Sequence, residues 1–163
     1  MATSTTLQMV STKELILLRK TPSGIRKLNK PHAESFSTYY FRSLNWFMLG
    51  DIAPAVEGNP VAASLVGYET IATPSLDSGS FNVIGADQIP DIAAALEKVD
   101  LKKLRKDVET ADKAVLAKQK VDDFERVSAD DSPAATIVTD VKQLTSFYRN
   151  AAAKHMGVVI YTV

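Results

Sequence analysis

Two histidines, one serine-rich turn and two runs of acids are the residues of this 163-residue chain whose types could do chemistry. His32 stands between Pro31 and Ala33 in a polar linker. His155 is expected in the last turn of a closing helix, where an imidazolium would meet the negative end of the helix dipole. Neither lies at metal-ligand spacing from another His, Asp or Glu, and histidine catalysis needs a nucleophile or carboxylate placed beside it. Both read as structural or solvated, and no metal site is expected. Ser78-Gly79-Ser80 lacks a GxSxG frame and reads as a turn. Asp130 and Asp131 precede Ser132-Pro133 without the rest of a calcium loop, and Ser132 suits a helix start. The seven glycines are scattered among turns, with neither a P-loop nor GxGxxG, so no nucleotide cofactor is expected. With no cysteine, thiol nucleophiles, thiolate metal sites and disulfides are excluded. No residue is assigned a catalytic role.

The acids point instead to binding. Gly50 to Asn59 carries Asp51 and Glu57, and Asp122 to Asp131 carries Asp122, Asp123, Glu125, Asp130 and Asp131 against Arg126. Both runs read as loops, where recognition concentrates, and a basic protein surface would meet them by charge complementarity. Between Glu14 and Glu34 every charge is positive: Arg19, Lys20, Arg26, Lys27 and Lys30. The competing reading of all these runs is a solvated face. The aromatic run Phe36 to Phe47 encloses Arg42, but 19 basic residues balance 19 acids, so the broad basic groove of a base-stacking platform is missing. The aromatics read as core, with Tyr39 off their stripe, and no nucleic-acid partner is expected.

The elements that must position these residues follow from local signals. Thr6 to Val10 is β-prone and runs into Ser11-Thr12-Lys13-Glu14, the spacing of a capping box. With Ser11 as N-cap, Val10 and Leu15 occupy the two positions of a hydrophobic staple. The helix stops near Lys20, since Thr21 precedes Pro22. Phe36, Tyr40, Leu44 and Phe47 recur at helical spacing and predict a helix over Ala33 to Leu49, ended by Gly50, with Trp46 mostly buried. A loop with Pro54, Gly58 and Pro60 leads to a short helix, Val61 to Val66, stopped by Gly67. Tyr68 to Thr73 and Phe81 to Ile84 read as strands. Asp87 to Val99 reads as a helix, and Leu101 to Val115 continues the spacing with a break near Thr110. Asp122 to Pro133 is an acidic connection. A final helix carries Val138 to Ala153, and Val158 to Val163 is a terminal strand whose natural partner is the opening one. The fold class expected is α+β, a small sheet containing both terminal strands and covered by several helices.

The length suits one domain, residues 1–163, with a core that needs no staple. Apolar residues at 45% and charged residues at 23% are those of a globular chain. Met1 to Val10 has no signal-peptide pattern, and Leu15 to Leu18 and Val158 to Tyr161 are too short to span a bilayer. A cytoplasmic location away from membranes is expected.

Several stretches together resemble the YfbM-like family of small bacterial α+β proteins. They are the opening strand with its Ser11 helix, Leu44-Asn45-Trp46-Phe47-Met48-Leu49-Gly50, Asn59-Pro60-Val61 through Gly67, the Ile89 to Leu104 stretch, and Leu144 to Ala152 leading into Val158 to Tyr161. The order spans most of the chain. The segment before Trp46 is shorter than the family pattern, and the Tyr-Pro pair expected near Phe124 is absent. The resemblance carries no catalytic residues. It implies that such proteins can stand beside secreted toxins as immunity proteins. The expected function is therefore non-enzymatic, stoichiometric binding of a protein partner, a toxin encoded by an adjacent gene. The alternatives are a small hydrolase-like or ligand-binding enzyme using dispersed carboxylates or His155, and a self-assembling structural subunit.

Overall fold

A computed structural model describes residues 3–28, 34–128 and 132–163. The chain opens with strand β1 (Thr5–Val10) and turns at Ser11 into helix α1 (Thr12–Lys20). The capping box is complete: Glu14 N–H donates to Ser11 Oγ at 3.0 Å, and Ser11 N–H donates to the Glu14 carboxylate at 3.0 Å. Val10 and Leu15 are buried in the same apolar cluster, as the staple requires. A 3₁₀ turn (Pro22–Lys27) follows.

The predicted helix over Ala33 to Leu49 is corrected here. Ala33 lies outside the described residues, and Ser35–Thr38 forms strand β2, antiparallel to β1, before helix α2 begins at Phe41–Leu49. Phe36 and Thr38 face inward while Ser35 and Ser37 face out, a two-residue alternation that pairing with β1 selects over the helical reading. Gly50 ends α2 in the left-handed conformation, its N–H donating to Trp46 O at 2.7 Å.

Helix α3 (Pro60–Val66) and strands β3 (Glu69–Ala72) and β4 (Ser80–Ile84) stand close to their predicted limits. Helices α4 (Ile89–Glu97) and α5 (Leu101–Glu109) follow, and the break near Thr110 separates α5 from α6 (Lys113–Lys118). The acidic connection holds a helix of its own, α7 (Phe124–Ser128), because Phe124 and Val127 bury against the core. The final helix α8 (Pro133–Ala153) starts earlier than predicted, with Ser132 as its N-cap. His155 is not in its last turn: it lies past the helix end, exposed, at φ 53°. His32 lies outside the described residues.

The sheet is antiparallel in the order β2-β1-β5-β4-β3, with β5 (Gly157–Thr162) between β1 and β4. Both terminal strands therefore pair, from Thr5 opposite Thr162 to Val10 opposite Gly157. One face, with Leu7, Met9, Phe36, Ile84, Val158 and Ile160, packs under the large helical layer dominated by α8. The other face, with Val10, Phe81, Val83 and Val159, is covered by Leu15 and Leu18 of α1 and Ile25 of the 3₁₀ turn. Tyr148 ties α8 to α3, its hydroxyl donating to Ser64 O at 2.6 Å. Burial, and to a smaller extent the charge of Tyr68, holds that phenol well above the ordinary tyrosine range. Among the described residues, no helix is long and apolar enough to cross a membrane.

Candidate functional site

Of the described acids proposed from sequence, Asp123 stands apart from the others. Asp123 turns inward and is only 9% exposed. Its carboxylate accepts Arg42 N–H at 2.7 Å, Ser43 N–H at 3.0 Å and Ser43 Oγ–H at 2.5 Å, satisfying the free amides at the start of α2. Burial pushes its carboxyl above the usual aspartate range, opposed by those three hydrogen bonds and assisted by the neighbouring charge of Asp122. A buried cap cannot reach a partner, so Asp123 leaves the set. Asp122 is exposed and paired with Arg42 Nη1 at 3.3 Å. Glu125 is exposed in the first turn of α7. Asp51 and Glu57 are exposed beyond the opposite end of α2, and Asp51 is turned onto Ala53 N–H at 2.9 Å. Nine helical residues put about 13 Å between the two ends of α2. Asp130 and Asp131 lie outside the described residues.

Asp140 of α8 is a second inward carboxyl, accepting Thr38 Oγ1–H at 2.8 Å while Thr38 Oγ1 accepts Tyr40 N–H at 3.0 Å. Burial raises it above the usual range, with the Thr38 bond opposing. Asp123 and Asp140 thus fix the Thr38 to Ser43 corner from two sides. Their role is to set where α2 starts.

At its other end α2 contributes to a concavity of about 580 Å³. Trp46, Phe47 and Met48 of α2 line it together with Val115 and Leu116 of α6 and with the charged Lys103, Asp107 and Asp112. The gap exists because the helix line breaks at Thr110. Thr110 N–H and Oγ1–H both donate to Lys106 O, closing α5, and Asp112 restarts the chain as N-cap of α6 by accepting Ala114 N–H at 2.9 Å. Phe47 is steadied from behind by Phe124, ring centroids 5.5 Å apart. Trp46 is partly buried and packed against the core, as its mostly buried reading expects, while Val115 is 46% exposed, so the apolar lining reaches solvent at Val115.

The rim of this cleft is charged. Lys103 Nζ and Asp107 Oδ2 form an ion pair at 2.6 Å. Lys106, one turn from both Lys103 and Thr110, and Lys118, one turn from Val115, are exposed beside it. Between Lys98 and Lys120 the chain carries eight lysines or arginines against four acids, and all eight are exposed. Sequence reasoning passed over this segment because it took α5 and α6 only for their apolar spacing. The charge signal was present in the sequence, cancelled in the total by acids elsewhere.

An open apolar cleft with a polar border has the make-up of a recognition surface. Such surfaces bury an apolar centre, carry polar groups at the edge, and favour Trp, Phe and Met at the centre. Trp is prominent among residues that carry binding energy, and Met adapts its shape to what it meets.

Comparison with known proteins gives one family and one fold. Residues 3–161 match the family described as "Domain of unknown function (DUF1877)". No curated protein matches the chain. Among solved structures, it is similar to YfbM from Escherichia coli, described as a protein of unknown function, with 14% identity and a TM-score of 0.66. The match covers 98% of this chain and 99% of that one. At that identity the likeness speaks for the fold alone.

Proposed function

The chain belongs to the DUF1877 family, and from that premise we propose that it is a non-enzymatic binding module that acts by stoichiometric association with a protein partner. The observation that carries this reading is the cleft at the end of α2, about 580 Å³, whose lining includes partly buried Trp46 and Phe47 and exposed Val115. That is room for one or two large apolar side chains of a partner. In its finer form the proposal is an immunity protein that neutralises a cognate toxin, with Trp46 as an anchor of the complex.

The test is co-expression with the product of the neighbouring open reading frame. Expected are growth arrest by the neighbour alone, rescue by this chain, and an equimolar complex on size-exclusion chromatography with light scattering. Trp46→Ala should weaken the complex by about 2 kcal/mol or more while leaving the fold intact. A harmless neighbour and no complex would remove the toxin reading. Catalytic turnover of the toxin, with no lasting complex, would remove stoichiometric binding itself.

A further inference from the structure

The sheet has two edges, and they differ in how they are guarded. At the β3 edge Glu69 is held by Arg19 of α1 in an ion pair at 2.8 Å, and Pro74 stands just past the strand; charge and proline are devices that keep an open edge from pairing. The β2 edge, Ser-Phe-Ser-Thr, has neither. Its hydrogen-bond parity is set by Met9 N–H, which donates to Glu34 O at 3.1 Å and makes those two residues a bonded pair. Stepping by two along β1, Leu7 with Phe36 and Thr5 with Thr38 are bonded pairs as well, so the N–H and C=O groups of Ser35 and Ser37 point away from β1. Both serines are exposed, and among the described residues nothing is bonded to those outward groups. A concavity of about 370 Å³ adjoins this edge, lined by Ser35 together with Thr139, Gln143, Ser146 and Asn150 of α8. The four α8 residues recur at three- and four-residue spacing, which puts them on one face of the helix, and all are exposed. Apart from buried Phe147, every lining side chain is polar or charged, and its two charges, Glu34 and Lys142, are of opposite sign. Tyr39, directly after the strand, is 53% exposed.

We infer that β2 takes an extended segment of a partner protein as a sixth strand, one carrying uncharged hydrogen-bonding side chains such as serine, threonine and asparagine. The outward backbone groups of Ser35 and Ser37 require an extended chain to bond them, and main-chain bonding of this kind supplies affinity while alternate side chains supply selection. Those on the Phe36 side of the sheet turn toward α8, where Gln143 and Ser146 offer donors and acceptors. Tyr39 gives the segment an aromatic surface to cover at the end of the strand. A second copy of this chain would need more apolar area than this polar face offers a dimer. The edge shares no lining residue with the Trp46 cleft, so it adds a separate surface to the protein-binding reading and stands on observations of its own.

The full chain, isotope-labelled for NMR, is titrated with the end-capped peptide Thr-Ser-Thr-Asn-Thr-Ser and with a twin N-methylated at two adjacent inner amides. The expected result is a saturable shift of the Ser35 and Ser37 amide resonances with the Trp46 indole resonance unmoved. The twin should bind at least about tenfold more weakly, because one of two adjacent amides faces β2 in either register. Ser37→Pro removes an outward N–H that β1 does not use, a change an edge strand accepts, and should weaken the parent peptide by about tenfold or more. Gln143→Ala with Ser146→Ala, on the exposed face of α8, should weaken it by about threefold. Circular dichroism verifies folding, and the methylated twin decides the matter if the proline variant is unfolded. No saturable shift at Ser35 and Ser37, or equal binding of the methylated twin, overturns the added strand, whereas the Trp46 cleft stands or falls by the co-expressed complex and its Trp46→Ala variant. Undiminished binding by the alanine pair overturns the polar side chains of the occupant. A concentration-dependent dimer in light scattering that Ser37→Pro abolishes overturns the partner segment and assigns the edge to a second copy.

Discussion

Asp123 shows how one side chain can look like a surface charge in the sequence and serve as an internal fastening in the fold. Its neighbours Asp122 and Glu125 are exposed, and nothing in an Asp-Asp-Phe-Glu string distinguishes the inward acid. Only the approach of α2, some eighty residues earlier, makes the difference. Asp123→Ala should destabilise the protein by about 1–3 kcal/mol in urea unfolding, through loss of the cap and two stranded amides. The pH dependence follows from the raised carboxyls of Asp123 and Asp140. Both bind protons more tightly in the folded chain than in the unfolded one. Their contribution to stability is therefore complete below about pH 4, the ordinary aspartate value, and disappears as the pH rises through the raised native values. Asp123→Asn, which cannot titrate, should flatten that part of the stability profile. An unchanged slope would show that the carboxyl is not desolvated. Asn45 presents the opposite case: it is 0% exposed, and neither atom of its amide has a hydrogen-bond partner. Asn45→Leu removes both buried polar atoms at similar volume and should raise the urea midpoint, by about 1 kcal/mol of stability.

Among the elements, those fixed by neighbouring residues were legible and those fixed by distant ones were not. The box at Ser11, the staple of Val10 and Leu15, and the stops at Gly50 and Gly67 act within one helical turn, and the sequence shows them directly. Strand β2 depends on pairing with β1, and four residues of Ser-Phe-Ser-Thr ahead of an aromatic run carry no helix veto of their own. Helix α7 has five residues and exists because Phe124 and Val127 find a core to enter. Phe47, read from the sequence as core, is partly buried against Phe124 and should cost about 2 kcal/mol on replacement by alanine, not the roughly 3–5 kcal/mol of a fully buried site. Gly67 joins α3 to β3 at φ +81°, and a Cβ there would stand 3.1 Å from Asn82 Cβ and 3.3 Å from the Val83 backbone. Gly67→Ala should therefore destabilise by about 1–3 kcal/mol, more than an exposed glycine change in a relaxed turn. A neutral result in thermal unfolding would mean that the α3–β3 joint adjusts.

On the scale of the molecule, the sheet containing both ends of the chain was legible because two β-branched runs at the termini have few other partners. The candidate site was legible only in its parts. Trp46, Phe47 and Met48 were noticed as core, and their exposure depends on the direction α6 takes after Asp112, which no local spacing specifies. Acrylamide should quench Trp46 to an intermediate degree in the free protein, and binding of a partner in the cleft should reduce it; quenching as complete as in urea would contradict the packing of α2. The position of β5 has a consequence for how the chain folds. β1 and β4 meet only through β5, which pairs with a strand at the far end of the described residues. The centre of the sheet therefore closes through contacts of very large sequence separation, a kind of pairing that forms slowly.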